Sequence, residues 1–583
     1  MEYRLNRARF LFMAKSHNRL RVLRKWTVAL TCLSALPAWA QDSGSSPETE
    51  ASEVLDAAVG EATAEGTAEG TAEATAEATV AEVVVRGADA APRAPRGATW
   101  DVRGLARYRY NRQTDHATDL DGTRHGRSSW MESRVVVGAG WRPIQRLGFE
   151  LELDAVNGQF AGDSTEVGQT IGADVFRVER SSSTSALSRV APRRAYVQWD
   201  SPWFRMVAGA QTFGWGTGFL ANDGIAESDF GDAWQGNLVA RLLVATQPFR
   251  NMEQAGEAAR SLTLVLAGDR VIEDDNGSWY EGDDIWAGVF GVRMETPTWS
   301  VGVFEAVRSQ TDRPDPLYPA DRRTSVLANT TDLWARWRVL DAGSQSLTLE
   351  TESALIMGST DRPWLDETWE DGAQIRAFGG LFRVRYDHQE LNLTAKVEAG
   401  YASGDNDPRD AVSRQFSFNS DYNVGLILFD QVMPMLTARA GDRLFDPNLV
   451  AVPPSGVRFT VAQGGVTNAG YVNPVLRYRP VEGLDLRLGY VWAVSASDLT
   501  DVYQTARNGG YPTGFDGVQG GARGLGHEVD VSARYTITLP GSVGVRLGVE
   551  NGIFLPGNAL SGLNQGAGIP TLVLTRATFD LTW

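Results

Sequence analysis

Three pairs of arginines, each pair spaced two residues apart, are the residues of this sequence best suited to chemistry. The pairs are Arg336/Arg338, Arg383/Arg385 and Arg477/Arg479. Residues two apart lie on the same face of a β-strand, so each pair would place two guanidinium groups next to each other. Guanidinium binds carboxylates through planar, bidentate hydrogen bonds, so an anion could pass from one group to the next.

The segments that carry such residues alternate apolar and polar side chains. Residues 147–156 (LGFELELDAV) place Leu and Phe on one face and three acidic residues on the other. The same period of two recurs in residues 391–401 and 484–492. This period is typical of strands that have one apolar and one polar face.

Eighteen segments of this kind can be delimited along the chain. They are residues 99–110, 129–141, 147–156, 191–199, 203–212, 234–246, 260–270, 285–295, 298–308, 329–340, 345–357, 373–386, 389–401, 468–479, 483–494, 525–538, 542–552 and 571–583. The connections between the segments alternate between short and long. Residues 247–259 are an exception, because they form a longer turn at the end where the other turns are short. The pattern predicts an all-β fold: a transmembrane antiparallel barrel of about eighteen strands over residues 99–583, with short periplasmic turns, long extracellular loops and both ends periplasmic.

The last segment has the features of a closing strand. Phe579, Leu581 and Trp583 lie on its apolar face, and the chain ends on the aromatic residue. This ending resembles the C-terminal assembly signal of bacterial outer-membrane barrels, where the last residue is usually Phe. We therefore expect recognition by the outer-membrane assembly machinery.

The beginning of the chain predicts export. Residues 1–26 are rich in Arg and Lys, residues 27–36 form a short apolar run, and Ala38-Trp39-Ala40 gives a small-x-small cleavage pattern. Residues 1–40 are therefore predicted to be a signal peptide that is cleaved off. The mature protein is expected to be integral to the bacterial cell outer membrane. The single cysteine, Cys32, lies within it, so the mature chain would have no thiol.

Residues 41–98 form an acidic segment rich in Ala, Thr, Glu and Gly, including a near-tandem repeat at 60–79. Such a composition supplies no packed core, so we predict a disordered linker, with a partner-binding tail as the alternative. The formal net charge of −17 is concentrated here and in the loops, whereas the strands carry many arginines. An acidic chain of this kind is not expected to bind nucleic acid.

Two parts of the sequence resemble the alginate-export (AlgE-like) outer-membrane porins, which are eighteen-stranded. They are residues 207–224 (VAGAQTFGWGTGFLANDG), and residues 401–410 (YASGDNDPRD) together with 421–429 (DYNVGLILF). The resemblance implies a barrel that transports hydrophilic solutes, among them anions such as sugar acids or polyuronates. The alginate exporter is similar in its Arg-rich lumen, but the late periplasmic connections of this chain are short.

If the apolar face of each strand faces lipid, the charged face lines the lumen. The predicted lumen residues are Arg103, Arg107, Arg109, Arg134, Arg194, Arg205, Arg241, Arg336, Arg338, Arg383, Arg385, Lys396, Arg477, Arg479, Arg487, Glu150, Glu152, Glu350 and Glu352. Two interpretations stay open. The residues could brace a water-filled wall as ion pairs, or they could produce a field that orients polar solutes and favours anions.

Two features of the loops extend this prediction. Residues 402–467 form a long extracellular loop that can fold into the barrel and narrow it, because residues 421–429 are apolar. Asp405, Asp407 and Asp410 have an oxygen-rich spacing that could hold calcium, and calcium is the one cofactor the sequence suggests. Outside the barrel, the expected contacts are outer-membrane lipid and lipopolysaccharide.

The sequence carries little that indicates catalysis. His527 and Ser532 are the nearest approach to a hydrolytic pair, but strand alternation places them on opposite faces. We therefore predict that the protein is not an enzyme. The alternatives are an outer-membrane barrel hydrolase and a plugged structural or adhesion barrel, which would show negligible conductance.

Overall fold

The structure is a computed structural model that describes residues 98–168, 190–225, 228–234, 236–314, 323–362, 372–407, 409–445, 457–540 and 543–583. The predicted signal peptide, and the predicted linker up to residue 97, lie outside the described residues. No helix in the described part is both long enough and apolar enough to cross a membrane.

Eighteen long strands of the described chain form one closed antiparallel barrel. They are β1 Thr99–Gln113, β2 Ser129–Ile144, β3 Leu147–Gly162, β4 Ala191–Asp200, β5 Phe204–Phe213, β6 Asn237–Thr246, β7 Thr263–Asp274, β8 Asp284–Glu295, β9 Trp299–Thr311, β10 Ser325–Ala342, β11 Gln345–Thr360, β12 Ala373–His388, β13 Leu393–Ala402, β14 Ala469–Tyr478, β15 Leu484–Ser495, β16 Gly524–Leu539, β17 Val543–Pro556 and β18 Leu572–Thr582. Each strand pairs with the next. The barrel closes where β18 pairs with β1, from Leu105↔Thr582 to Gln113↔Leu574. The predicted eighteen-stranded fold is confirmed.

Strand β10 shows why the alternating sequence forms a barrel wall. Leu327, Leu333 and Trp337 are 46–56% exposed, whereas Asp332 and Trp334 between them are buried. Leu327, Leu333 and Trp337 therefore face outward, whereas Asp332 and Trp334 face inward. An apolar outer surface that continues around the barrel is suited to lipid contact.

Aromatic residues mark one rim of this outer surface. The rings of Trp100 and Trp141 stack at 5.2 Å between centroids, and those of Trp141 and Phe149 stack at 5.1 Å. Trp203 and Trp583 are exposed at the same rim. Aromatic girdles of this kind lie at the boundary between lipid and water.

The connections divide the barrel into two ends. At the short-turn end they are residues 145–146, 201–203, 247–262, 296–298, 343–344, 389–392, 479–483 and 540–542. The longest of these contains the helix α1, Glu257–Ser261, which accounts for the irregular turn noted in the sequence. At the long-loop end they are residues 114–128, 163–190, 214–236, 275–283, 312–324, 361–372, 403–468, 496–523 and 557–571.

The described residues of 403–468, the long inserted segment, fold into the barrel. The segment contains a π-helical turn, Leu428–Val432, which leads into α2, Met433–Arg443. Its side chains Phe416, Leu426 and Met435 are buried in a cluster that also includes inward-facing residues of several strands. The largest apolar core of the described chain therefore lies inside the barrel, between this segment and the wall.

Candidate transport site in the barrel lumen

Most of the predicted lumen residues lie on the inward face of the described strands. Those in the middle of the barrel are Arg107, Arg109, Arg134, Arg194, Arg241, Arg383, Lys396, Arg487, Glu152, Glu350 and Glu352. Those nearer the short-turn end are Arg103, Arg205, Arg336, Arg338, Arg385, Arg477 and Glu150. Arg479 lies in the turn that follows β14, where its backbone N–H donates to the Asn392 carbonyl at 3.0 Å. The pair Arg477/Arg479 therefore has only one member within a strand.

Residues 214–236, the short inserted segment, connect β5 to β6, and their described part contacts charged residues of the barrel wall. Asp232 lies 3.2 Å from Arg107 Nη1 and 3.8 Å from Arg109 Nη1. Arg107 also donates two hydrogen bonds to Asp580 on the neighbouring strand, at 2.9 and 3.0 Å. Trp234 lies beneath the Arg109 guanidinium, with 3.8 Å between the guanidinium carbon and the ring centroid.

The same segment also contacts residues of β13 and β15. Lys396 of β13 forms an ion pair with Asp229. Arg487 of β15 donates to the carbonyls of Ser228 and Asp229 at 2.9 and 3.0 Å. Burial raises and the nearby Lys396 lowers the pKa of Asp229, and the net effect is a lowered pKa, so the carboxylate is ionised.

The beginning of the short inserted segment is attached to β10 and β11. Trp215 Nε1 donates to Asp332 at 3.1 Å, and the Thr217 N–H donates to Glu352. Gly216 has a φ of +58°, and a Cβ placed there would lie 2.3 Å from the Glu352 carboxyl. The segment thus contacts β1, β10, β11, β13 and β15 and crosses the lumen at the level of the charged residues.

This crossing was not predicted from the sequence, because residues 213–233 were interpreted as one extracellular loop among several. The sequence signal was present in residues 214–236, where Trp, Asp and Gly residues are mixed in one connection. Small residues allow close approach to the wall, and Asp and Trp supply partners for guanidinium groups.

Arg383 joins the wall to the long inserted segment. Its guanidinium donates to Glu398 and Glu350, each at 2.9 Å, and to the Tyr422 hydroxyl at 2.9 Å. The Tyr471 hydroxyl completes the group by donating to Glu398 at 2.6 Å. The bracing interpretation fits Arg383, since its donors are used in holding strands and segment together.

Glu528 of β16 holds the long inserted segment at a second point. Its carboxylate accepts the N–H groups of Leu426, Ile427 and Leu428 at 2.5, 2.8 and 2.8 Å. These residues lead into the π-helical turn, where backbone N–H groups have no partner within the helix. One inward-facing carboxylate therefore fixes the position of the apolar part of the segment.

Arginines nearer the short-turn end retain exposed surface. The side chains of Arg103, Arg338 and Arg385 are 41%, 48% and 37% exposed. Arg338 has Asp341 at 3.2 Å and Arg385 has Asp387 at 3.0 Å, whereas Arg103 has Asp101 at 3.0 Å and also pairs with Glu150 and Glu152. Pairs exposed to this degree are screened by water and salt, so the attraction between their charges is weakened.

The expected calcium ligands do not converge on one point. Asp405 accepts the N–H groups of Asp407 and Arg414, and Asp410 accepts two hydrogen bonds from the Arg414 guanidinium at 2.7 and 3.1 Å. No group of three metal-ligating side chains is found among the described residues. Arg414 pairs with Asp405 and Asp410, and Arg409 pairs with Asp407, so this arrangement does not favour calcium, which stays a prediction.

His527 and Ser532 do not form a hydrolytic pair. His527 faces outward, where its Nδ1 lies 2.6 Å from the Tyr490 hydroxyl. Ser532 is buried on the inward side of the same strand. The opposite orientation expected from strand alternation is what the structure has.

Hydrogen bonds connect the loops to one another at the long-loop end. Arg439 of α2 donates to Asp119 in residues 114–128 at 2.9 Å, and Arg443 donates to Asp121 at 2.7 Å. In residues 496–523, Asp501 accepts the Gln504 N–H at 2.9 Å and caps α3, Val502–Arg507. Burial raises the pKa of Asp501 to about 6.

Comparison with known proteins gives structural neighbours alone. No family model matches the sequence, and no curated protein matches it. Among solved structures, it is similar to OccK11 (OpdR) of Pseudomonas aeruginosa, with 12% identity, a TM-score of 0.43 and coverage of 83% of this chain and 95% of that one. It is also similar to OprD of Pseudomonas aeruginosa (11%, TM-score 0.44, 83% and 95%) and to OccAB1 of Acinetobacter baumannii (10%, TM-score 0.48, 83% and 96%). Likeness at this level assigns neither a family nor a cargo, and the relation to alginate-export porins stays a prediction.

Proposed function

We propose that the protein is a channel of the bacterial outer membrane through which small hydrophilic solutes diffuse passively. The observation that carries this proposal is the charged level of the lumen, where the short inserted segment meets the arginines of β1, β13 and β15. A barrel with an apolar outer surface and ionic side chains inside is suited to moving polar molecules across lipid. The same outer surface is proposed to contact lipid and lipopolysaccharide.

Charges of both signs at this level favour polar cargo. Carboxylates of the short inserted segment face arginines of the wall, so the local field runs across the lumen. A polar solute can align its dipoles or hydrogen-bonding groups with this field, whereas an apolar solute cannot. The two inserted segments reduce the cross-section at which this selection acts.

A modest preference for anionic solutes, such as sugar acids or polyuronates, is the finer part of the proposal. It is supported by the partly exposed guanidinium groups of Arg103, Arg338 and Arg385 near the short-turn end. Arginine binds carboxylates in bidentate fashion, and the acidic neighbours of these residues offset part of their charge. The expected preference is therefore small.

Planar bilayer recording in a salt gradient tests both parts of the proposal. The wild-type barrel should conduct, with a reversal potential on the anion-selective side. Arg385→Glu should shift the reversal potential toward cations, most clearly at low ionic strength where screening is weak. Arg376→Glu is the matched control, because Arg376 lies on the same strand but is exposed on its outward face.

The outcomes separate the alternatives. A reversal potential on the cation side in the wild type would remove the anion preference and leave the channel. A barrel that inserts but has no measurable conductance would favour a plugged structural barrel. The apolar cluster around Phe416, Leu426 and Met435 inside the barrel is the observation that speaks for that second candidate.

A further inference from the structure

A cavity of about 390 Å³ lies between β6–β12 and the long inserted segment, toward the long-loop end. Each of seven consecutive strands contributes at least one aliphatic or aromatic residue to this cavity, and some of them also contribute polar residues such as Asp269 and Arg308. The apolar lining residues of these strands include Val239, Val271, Val289, Phe304, Ala306, Val326, Ala328, Ile356, Ile375 and Ala377. These apolar side chains distinguish the cavity from the level of the lumen at which the short inserted segment meets the arginines of the strands.

The inserted segments add aromatic rings and amides to the cavity. Phe416 and Phe418 come from the long inserted segment, and Leu220 comes from the short one. The amides Gln415, Asn419 and Gln463 come from the long inserted segment, and Asn237 of β6 and Gln310 of β9 add two more from the strands. A cavity lined mainly by apolar side chains, with several amides among them, is suited to an apolar ligand that carries one polar group.

The charged side chains that line the cavity each have a partner among the described residues. Asp269 accepts two hydrogen bonds from Arg241, both at 2.6 Å. Arg308 is paired with Asp274. Arg362 donates to Asp312 at 2.6 and 2.5 Å, and its guanidinium lies 3.6 Å from the centre of the Phe459 ring.

The two remaining acids are satisfied in the same way. Asp275 accepts the N–H and hydroxyl of Ser420 at 3.0 and 2.7 Å. Asp405 accepts two backbone N–H groups and lies 3.6 Å from Arg414. An ion that entered this cavity would lose hydration without gaining a free counter-charge, which is unfavourable.

The volume sets the scale of the ligand. Pockets that bind small molecules enclose about 300–1,000 Å³, and this cavity lies near the lower end of that range at about 390 Å³. It fits a molecule of one ring. The apolar side chains would take the carbon skeleton, and the amides would take a hydroxyl.

We propose that this cavity is a binding site for an uncharged, ring-sized solute with a hydroxyl group, such as a cyclic alcohol. The site differs from the partly exposed arginines near the short-turn end, both in place and in chemistry. Its consequence for transport rests on the proposed channel function, whereas binding itself does not.

The decisive experiment measures binding of cyclohexanol to the purified full-length protein in detergent by calorimetry. Cyclohexanecarboxylate and cyclohexylammonium are the charged counterparts of the same size. Cyclohexanol should bind at least tenfold more tightly than either ion. Equal or tighter binding of either ion would overturn the proposal.

Variants locate the site. Ala328→Trp fills the cavity and should abolish the cyclohexanol signal. Ala335→Trp on the same strand is the control, because alternation with the exposed Leu333 and Trp337 places it on the outward face. Binding that Ala328→Trp leaves unchanged would place cyclohexanol in the detergent or elsewhere and refute the site. Ile356→Trp on β11 replaces Ala328→Trp if the latter does not show heat-modifiable gel mobility.

A second measurement keeps this proposal separate from the channel proposal. In planar bilayers, cyclohexanol should lower the conductance of the wild type and of Ala335→Trp, but not that of Ala328→Trp. A wild-type barrel without conductance would refute the channel, and calorimetry would still decide the binding site. A conducting barrel with neither calorimetric binding nor block would refute the site and leave the channel.

Discussion

Trp583, the last residue, and Gly104 of β1 exchange both backbone hydrogen bonds across the seam of the barrel. The Gly104 N–H donates to the Trp583 carbonyl at 2.9 Å, and the Trp583 N–H donates to the Gly104 carbonyl at 3.1 Å. The indole ring lies over Gly104, since a Cβ placed there would be 2.1 Å from Trp583 Cζ2. The aromatic end of the chain is therefore matched by a residue without a side chain.

We predict that Gly104→Val impairs assembly. The valine side chain would displace the indole ring at the seam, and overpacking of this kind costs about 1–3 kcal/mol. The folded fraction, measured by heat-modifiable gel mobility, should fall by more than half. Gly268→Val is the control, because a Cβ on Gly268 of β7 meets no atom within 4 Å. Equal loss in both variants would mean that valine in a strand, rather than the seam, is responsible.

Removal of the closing residues should have a larger effect than Gly104→Val. Deletion of residues 579–583 removes Phe579, Leu581 and Trp583 and leaves β1 without part of its partner strand. Unpaired backbone groups in lipid are strongly unfavourable, so outer-membrane insertion should be lost. Trp583→Asp should reduce insertion, because it removes the exposed ring from the rim. Normal heat-modifiable mobility of the deletion variant would contradict this prediction.

The Asp232 carboxylate is predicted to limit anion selectivity. In Asp232→Asn, Arg107 and Arg109 lose the ionic partner that the short inserted segment provides. The reversal potential should shift toward anions, and the shift should shrink as salt is raised. Asp121→Asn is the control, because that side chain is 72% exposed in residues 114–128. A shift toward cations, or the same shift in the control, would refute this role of Asp232.

The sequence was sufficient for the barrel because its signal is local. A strand such as β10 shows its two faces within a few residues, and lipid on one side makes the apolar face regular. The alternation of short and long connections then orders the strands without any long-range information. The order of the strands can therefore be predicted without knowing the side-chain contacts across the lumen.

The interior could not be predicted in the same way, since its contacts join residues far apart in the sequence. Alternation placed Arg383 and Arg385 on one face, but only the structure separates their roles. Arg383 holds Glu350, Glu398 and Tyr422, whereas Arg385 is partly exposed beside Asp387. Asp232 was one acid among many in the loops, and its significance comes from the arginines it meets on β1.

We predict that Glu528→Ala loosens the long inserted segment. Three N–H groups, those of Leu426, Ile427 and Leu428, lose their acceptor. Hydrogen bonds to a charged group contribute about 1.5–3 kcal/mol each. Single-channel recordings should show a larger and noisier current than the wild type. Thr536→Ala on the same strand, near the short-turn end, should leave the current unchanged. An unaltered current in Glu528→Ala would mean that the apolar cluster alone holds the segment.

The stability of the loops at the long-loop end is predicted to depend on pH. Burial raises the pKa of Asp501 from its usual value near 4 to about 6 in the folded loop. The folded form therefore binds more protons than the unfolded form between about pH 4 and pH 6. Stability from this group is fully present below the unfolded pKa and is lost as the pH rises through the folded one.

Hydrogen exchange of the amides in residues 502–507, corrected for the intrinsic effect of pH, measures this contribution. Protection should be about tenfold higher at pH 5 than at pH 7, given a pKa difference of about two units. Asp501→Asn keeps an N-cap acceptor for the Gln504 N–H but has no charge to bury, so it should remove the difference between the two pH values. If the difference persists in Asp501→Asn, another group controls the pH response of the loop, and the assignment to Asp501 is wrong.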